Sequence, residues 1–175
     1  MYDYLIQNAR ILNGSGSAAV SGDVAVAGGT IAAVGCLPGA PARHVIDARG
    51  RFLAPGFIDI HRHADAVLFS PEFGKAELAQ GLTTVINGNC GLSLAPVDGP
   101  YRVDTLLYLA PIVGGLPESR TFPNLSGYCA QAGRIPLRLN AGMLVGMGTL
   151  RACVAGFRDG DLSDDEYRQL YHLLE

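Results

Sequence analysis

Three side chains, His61, His63 and Cys90, have the residue types and settings that metal chemistry requires. The first two end the segment Pro55-Gly56-Phe57-Ile58-Asp59-Ile60-His61-Arg62-His63, an apolar run closed by imidazoles two residues apart. On an extended strand, side chains at i and i+2 point to the same side, roughly 6–7 Å apart. The spacing therefore predicts two imidazoles facing one space at the end of a strand, and neutral imidazole is a common metal ligand. The same parity puts Phe57 and Asp59 on the histidine face, assigns Ile58 and Ile60 to packing, and turns Arg62 away. The alternative is that the histidines close the strand for packing or solubility.

Cys90 stands in Asn87-Gly88-Asn89-Cys90-Gly91, directly after the β-branched run Thr83-Thr84-Val85-Ile86. Such a run favours a strand, and the flanking glycines give the backbone freedom to turn the thiol into a shared site. Thiolate is a good zinc ligand. The plainer reading is a small buried hydrophobe, the common fate of an isolated free cysteine.

The elements that must position these groups follow a βα rhythm from Arg51 onward: strand, helix over 74–80, strand, an irregular insertion, helix, strand, helix. The third strand is expected over Leu137–Val145. Ser163 is expected to cap the last helix, with Glu166 three residues later completing a capping box. Active sites of βα barrels gather at the C-terminal ends of such strands. Ahead of Arg51, short strands alternate with glycine turns. Gly28-Gly29 between Asp23–Val26 and Thr30–Val34 marks a hairpin. Pro111, Gly114-Gly115, Pro117 and Pro123 predict an irregular loop, and residues 112–118 are expected either to cover a site or to be a surface connection.

These motifs carry a resemblance. Val45-Ile46-Asp47-Ala48-Arg49-Gly50, then Pro55-Gly56-Phe57-Ile58-Asp59 with His61 and His63, resemble the amidohydrolase superfamily. Gly81-Leu82-Thr83-Thr84-Val85 running into Asn87-Gly88-Asn89-Cys90-Gly91, with Ser93 and Ala95-Pro96 beyond, resembles its D-aminoacylase (N-acyl-D-amino-acid deacylase) group. The resemblance runs from about residue 3 to the end and is weakest between Pro100 and Pro123. It implies an α/β fold: the N-terminal part of a metal-dependent-hydrolase (β/α)8 TIM barrel, about three of eight units over 53–175, preceded by a small β-sandwich segment over 1–52. It also implies a zinc-dependent hydrolase that cleaves the linear amide of a small N-acyl-D-amino acid. Cys90 is then a ligand of the tightly held zinc, and His61 and His63 line a second, weaker position. Asp59 and Asp65 are candidates for supporting those ligands. Asp65 has two readings, orienting a ligand imidazole or capping the loop that follows.

The chain departs from the family in two ways. Family members are much longer, with later histidine ligands and a catalytic aspartate that have no counterpart here, so no catalytic residue is assigned and little turnover is expected of this chain alone. Leu144-Val145-Gly146-Met147-Gly148 resembles a segment that usually carries histidine where Met147 stands. Two other readings stay open: an amidohydrolase of cyclic amides (dihydroorotase or hydantoinase type), and a non-catalytic metal-binding remnant.

Composition narrows the partners. Net charge is −3, hydrophobic content is 49%, Trp is absent and no basic run occurs, so nothing points to nucleic acid or an anionic membrane. No apolar stretch reaches the ~18 residues of a transmembrane helix, and the polar start is no signal peptide, which makes the cytoplasm the default. Cys36, Cys129 and Cys153 lack metal-type spacing and read as structural free thiols, and His44 reads as packing or surface. Three parallel strands cannot close a barrel. Their open edge predicts poor solubility, self-association or pairing with a partner chain.

Overall fold

The computed structural model describes residues 1–116 and 120–175 and divides them into two compact units, Met1–Pro55 and Gly56–Glu175. Pro117, within the expected loop over 112–118, lies outside the described residues.

The first unit is one five-stranded sheet. Strand β1 (Tyr2–Ile11) pairs antiparallel with β2 (Val20–Ala27), which pairs antiparallel with β3 (Thr30–Gly35). On its other side β1 pairs in parallel with β4 (Ala42–Asp47) and then β5 (Phe52–Leu53). The expected hairpin is present: Ala27 and Thr30 face each other across Gly28-Gly29, whose φ values of 59° and 77° are what a two-residue turn of this hand requires. β1 bulges between Ile6 and Ala9. Asn8 sits there at φ 58°, its backbone N–H donating to Asp23 and its side chain to Asp47. His44 lies within β4, exposed, stacked on Tyr4 at 5.1 Å.

The second unit places a parallel sheet, in the order β6 (Phe57–Asp59), β7 (Leu82–Asn87), β8 (Asn140–Met143), among helices. Helix α1 (Lys75–Ala79) links β6 to β7. Four helices around β8 follow the expected order only in part. The region expected to be irregular contains helix α2 (Arg102–Val113), with Pro111 inside it. Thr105, Leu109 and Val113 are its buried positions, and this i, i+4, i+8 stripe outweighs the single backbone hydrogen bond that a proline removes near a helix end. Helix α3 (Leu125–Ala132) starts at Asn124, whose side chain accepts the Gly127 N–H. Helix α4 (Met147–Ala155), absent from the expected order, follows β8, which is shorter than the expected 137–145. Helix α5 (Asp164–Leu174) begins with the expected capping box between Ser163 and Glu166.

The core of this unit gathers Leu68, Phe73, Val85, Leu94, Leu109 and Val113 around an aromatic trio. In that trio Phe122 stacks on Phe69 at 5.4 Å and meets Tyr128 edge-on at 5.0 Å. A smaller cluster joins α4 to α5 through Leu150, Val154, Ala155 and Leu170. Ile58 and Ile60, expected to be packing residues, are instead 61% and 72% exposed. Ile58 stands on β6, an edge strand with no second neighbour among the described residues, and Ile60 lies in the bend just after it.

Candidate metal centre

The histidines do not stand on a strand. β6 stops at Asp59, whose carboxylate accepts the His61 N–H at 3.1 Å and bends the chain out of the sheet, an Asx turn competing with the ladder. His61 and His63 therefore lie on the loop beyond β6. Their rings sit 5.6 Å apart and inclined at 74°, so they converge through loop geometry rather than strand pleat. Arg62, expected to face away from the histidines, pairs with two carboxylates. Its guanidinium bonds Glu77 of α1 at 2.6 Å and lies 3.7 Å from Asp59.

Cys90 comes from the loop after the neighbouring strand. Its φ is 57°, a left-handed conformation costly for a residue with a Cβ. Gly88 just before it is fixed on two grounds: its φ is 78°, and a Cβ there would fall 2.0 Å from the Leu144 carbonyl oxygen. The far side of the loop is bolted to the start of α4. Ser93 Oγ accepts the Gly146 N–H at 3.0 Å, Thr149 Oγ1 accepts the Ser93 N–H at 2.9 Å, and the Gly91 carbonyl accepts the Thr149 N–H at 3.0 Å.

The outcome is a three-donor cluster. His61 Nε2 lies 3.0 Å from Cys90 Sγ, and the donor atoms of His61, His63 and Cys90 all fall within 4.8 Å of one another. His61 and Cys90 are exposed and His63 is half-buried. His63 Nδ1 is buried with no hydrogen-bond partner among the described residues. Two imidazoles and a thiol at this spacing match the nitrogen and sulfur donors that zinc selects, held at about 2.0–2.3 Å from the ion. The donor set fits a metal.

Asp65 is fully buried. Its Oδ1 accepts the Leu94 N–H at 3.2 Å and its carbonyl accepts the Tyr128 hydroxyl at 2.8 Å. Burial pushes its carboxyl above the usual range, against the opposing pull of the Leu94 N–H. Met147 opens α4 and is exposed. Cys153 is buried, and burial raises its thiol pKa, whereas Cys36 and Cys129 are exposed; all four cysteines are free.

Several positioning groups escape a reading by residue type: Glu77, Ser93 and Thr149 act here through contacts with segments distant in sequence. Of these, Ser93 is visible in the sequence as part of a motif.

The amidohydrolase family model matches residues 44–114. The chain is 38% identical over 173 residues to an N-acyl-D-aspartate deacylase of Alcaligenes xylosoxydans xylosoxydans, covering 99% of this chain and 34% of that protein. A D-aminoacylase of the same organism is 34% identical, with 99% and 35% covered. Among solved structures, an N-acyl-D-glutamate deacylase from Bordetella bronchiseptica, complexed with zinc and a phosphonate mimic of the tetrahedral intermediate, superposes with a TM-score of 0.84 at 34% identity, covering 99% of this chain and 35% of that one. An L-hydantoinase from Arthrobacter aurescens shares the fold at a TM-score of 0.52 and 18% identity. This chain spans about a third of the length of the curated relatives it matches. Through its family-model match over residues 44–114 and its alignment with their N-terminal third, the chain is similar to the amidohydrolase family and, within it, to the D-aminoacylase group.

Proposed function

We propose that this chain forms the first metal-binding part of a zinc-dependent hydrolase acting on the linear amide of N-acyl-D-amino acids. The observation that carries this is the convergence of His61, His63 and Cys90 within 4.8 Å, on loops following two adjacent parallel strands. The three parallel strands over 53–175 are read as the first units of an eightfold βα barrel. The sheet over 1–52 is read as part of a β-sandwich flanking it. A cytoplasmic setting agrees with four unpaired thiols.

In this reading His61, His63 and Cys90 hold the ion. When bound, zinc polarises an amide carbonyl and makes water more acidic. The chain's own contribution is orientation. Asp59 fixes the bend at His61, and Asp65 anchors the loop beyond His63 to Leu94 and Tyr128. The left-handed turn at Cys90 aims its sulfur at the histidines. The residue that moves protons during hydrolysis is assigned to a part of the complete enzyme beyond these units. The 175-residue chain should therefore bind metal with little turnover.

The test is hydrolysis by the complete protein carrying this segment, supplied with N-acetyl-D-glutamate, N-acetyl-D-aspartate, their L-enantiomers and a hydantoin. Release of the free D-amino acid, abolished by a chelator and by Cys90→Ala, is the expected result. Turnover of the hydantoin alone would replace the proposal with the cyclic-amide reading.

A further inference from the structure

His63 is fastened from both sides by the segment that leads to Cys90. On one side, the Arg62 N–H donates to the Ile86 carbonyl at 2.9 Å, and the Arg62 carbonyl accepts from Asn89 Nδ2 at 3.4 Å. On the other side, the Ala64 N–H donates to Asn87 Oδ1 at 3.0 Å. Asn89 Nδ2 also reaches the Ile86 carbonyl at 2.8 Å, which fixes the amide between the two loops. Asn87 is fully buried, and its Nδ2 has no partner among the described residues. A buried amide left half-satisfied costs stability, because the orphaned donor has given up water without gaining a partner. Its place beside the donor cluster, with Oδ1 bonded to the Ala64 N–H, is one that a hydrophobic residue could not fill.

We infer that Asn87 and Asn89 are positioning residues, side-chain clips that hold the His61–His63 loop against the Cys90 loop and so set the separation of the donors. The inference rests on the metal-site reading above and extends it to two residues that touch no metal. The geometry gives each a distinct role. Asn87 supplies the acceptor for a backbone N–H that has left the β6 ladder, a role aspartate can also fill. Asn89 supplies a donor to two carbonyls, a role aspartate cannot fill. The two sites should therefore respond in opposite ways to the same substitution.

The experiment uses the full 175-residue chain and metal alone: zinc affinity by chelator competition, and the cobalt(II) spectrum, whose thiolate-to-metal charge-transfer band reports Cys90 ligation. Circular dichroism checks that each variant folds. Asn89→Ala and Asn89→Asp should weaken zinc about 10–100-fold, the range usual for groups that orient metal ligands, and should change the cobalt band. Asn87→Asp should stay within about 3-fold of the parent, while Asn87→Ala should match the Asn89 variants. Asn89 is only partly buried, so its variants keep the test valid if Asn87→Ala unfolds. Folded Asn89 variants with parental affinity and spectrum overturn the inference and leave the metal site standing. A parent chain whose zinc binding does not depend on Cys90 overturns both.

Discussion

His61 Nε2 lies 3.0 Å from Cys90 Sγ across a sequence separation of 29 residues, each delivered by a loop that follows one of two neighbouring parallel strands. Contact between the two groups depends on the β6–β7 pairing, so it reports on the fold of the second unit as well as on its chemistry.

Removing the thiol is the sharpest test of that contact. Cys90→Ala should lower zinc affinity by more than the roughly 100-fold upper range seen when supporting groups are lost, and His61→Ala should do the same. Equilibrium competition with a chelator on the isolated chain measures both, and unchanged affinity in either variant would remove that residue from the site.

Gly88 should tolerate no side chain. Gly88→Ala combines a left-handed φ, costing about 1–2 kcal/mol, with a Cβ 2.0 Å from the Leu144 carbonyl oxygen. A loss of at least about 2 kcal/mol in urea unfolding is expected. Gly28→Ala is the control: its φ is also positive at 59°, but nothing lies within 4 Å of the added Cβ, so only about 1 kcal/mol should be lost. Equal losses at both positions would show that the contact with Leu144 does not decide.

Glu166 gives the start of α5 a defined pH response. Its carboxylate pairs with Arg158 and accepts the Ser163 N–H at 2.7 Å, and these bonds, with the Arg158 partner first, hold its pKa at about 2 against an ordinary 4.5. A depressed folded-state pKa means the contribution is fully present above about 4.5 and lost as pH falls through about 2. Amide exchange across Asp164–Leu174 should quicken over that window in the parent. In Glu166→Gln the same window should be flat, and a parental response in that variant would place the titrating group elsewhere.

The β6 edge should govern association. Phe57, Ile58 and Ile60 are 62%, 61% and 72% exposed, an apolar strip along and just past β6, whose outer edge has no pairing strand among the described residues and is of the kind that pairs with other chains. Sedimentation velocity should show concentration-dependent association of the parent and a monomer for Ile58→Thr/Ile60→Lys. Identical profiles would exonerate the edge.

The sequence by itself determined the residue types of the metal centre, the strand carrying Thr83–Ile86, the Gly28-Gly29 hairpin and the Ser163–Glu166 cap. All of these are local: a β-branched run, a two-glycine turn and a side chain reaching three residues are complete within a few positions. Helix α2 is not legible in the sequence because Pro111 and its neighbours mask the Thr105, Leu109 and Val113 stripe, whose burial depends on a core built from distant segments. The two histidines do converge with Cys90, but not by strand parity. Strand parity is a property of the backbone alone, whereas the bend at Asp59 competes with the ladder and decides where the strand ends. Only the tertiary structure brought Cys90 to His61 and showed the asparagines gripping the chain on both sides of His63, because hydrogen bonds between segments more than twenty residues apart exist only once β6 and β7 are paired.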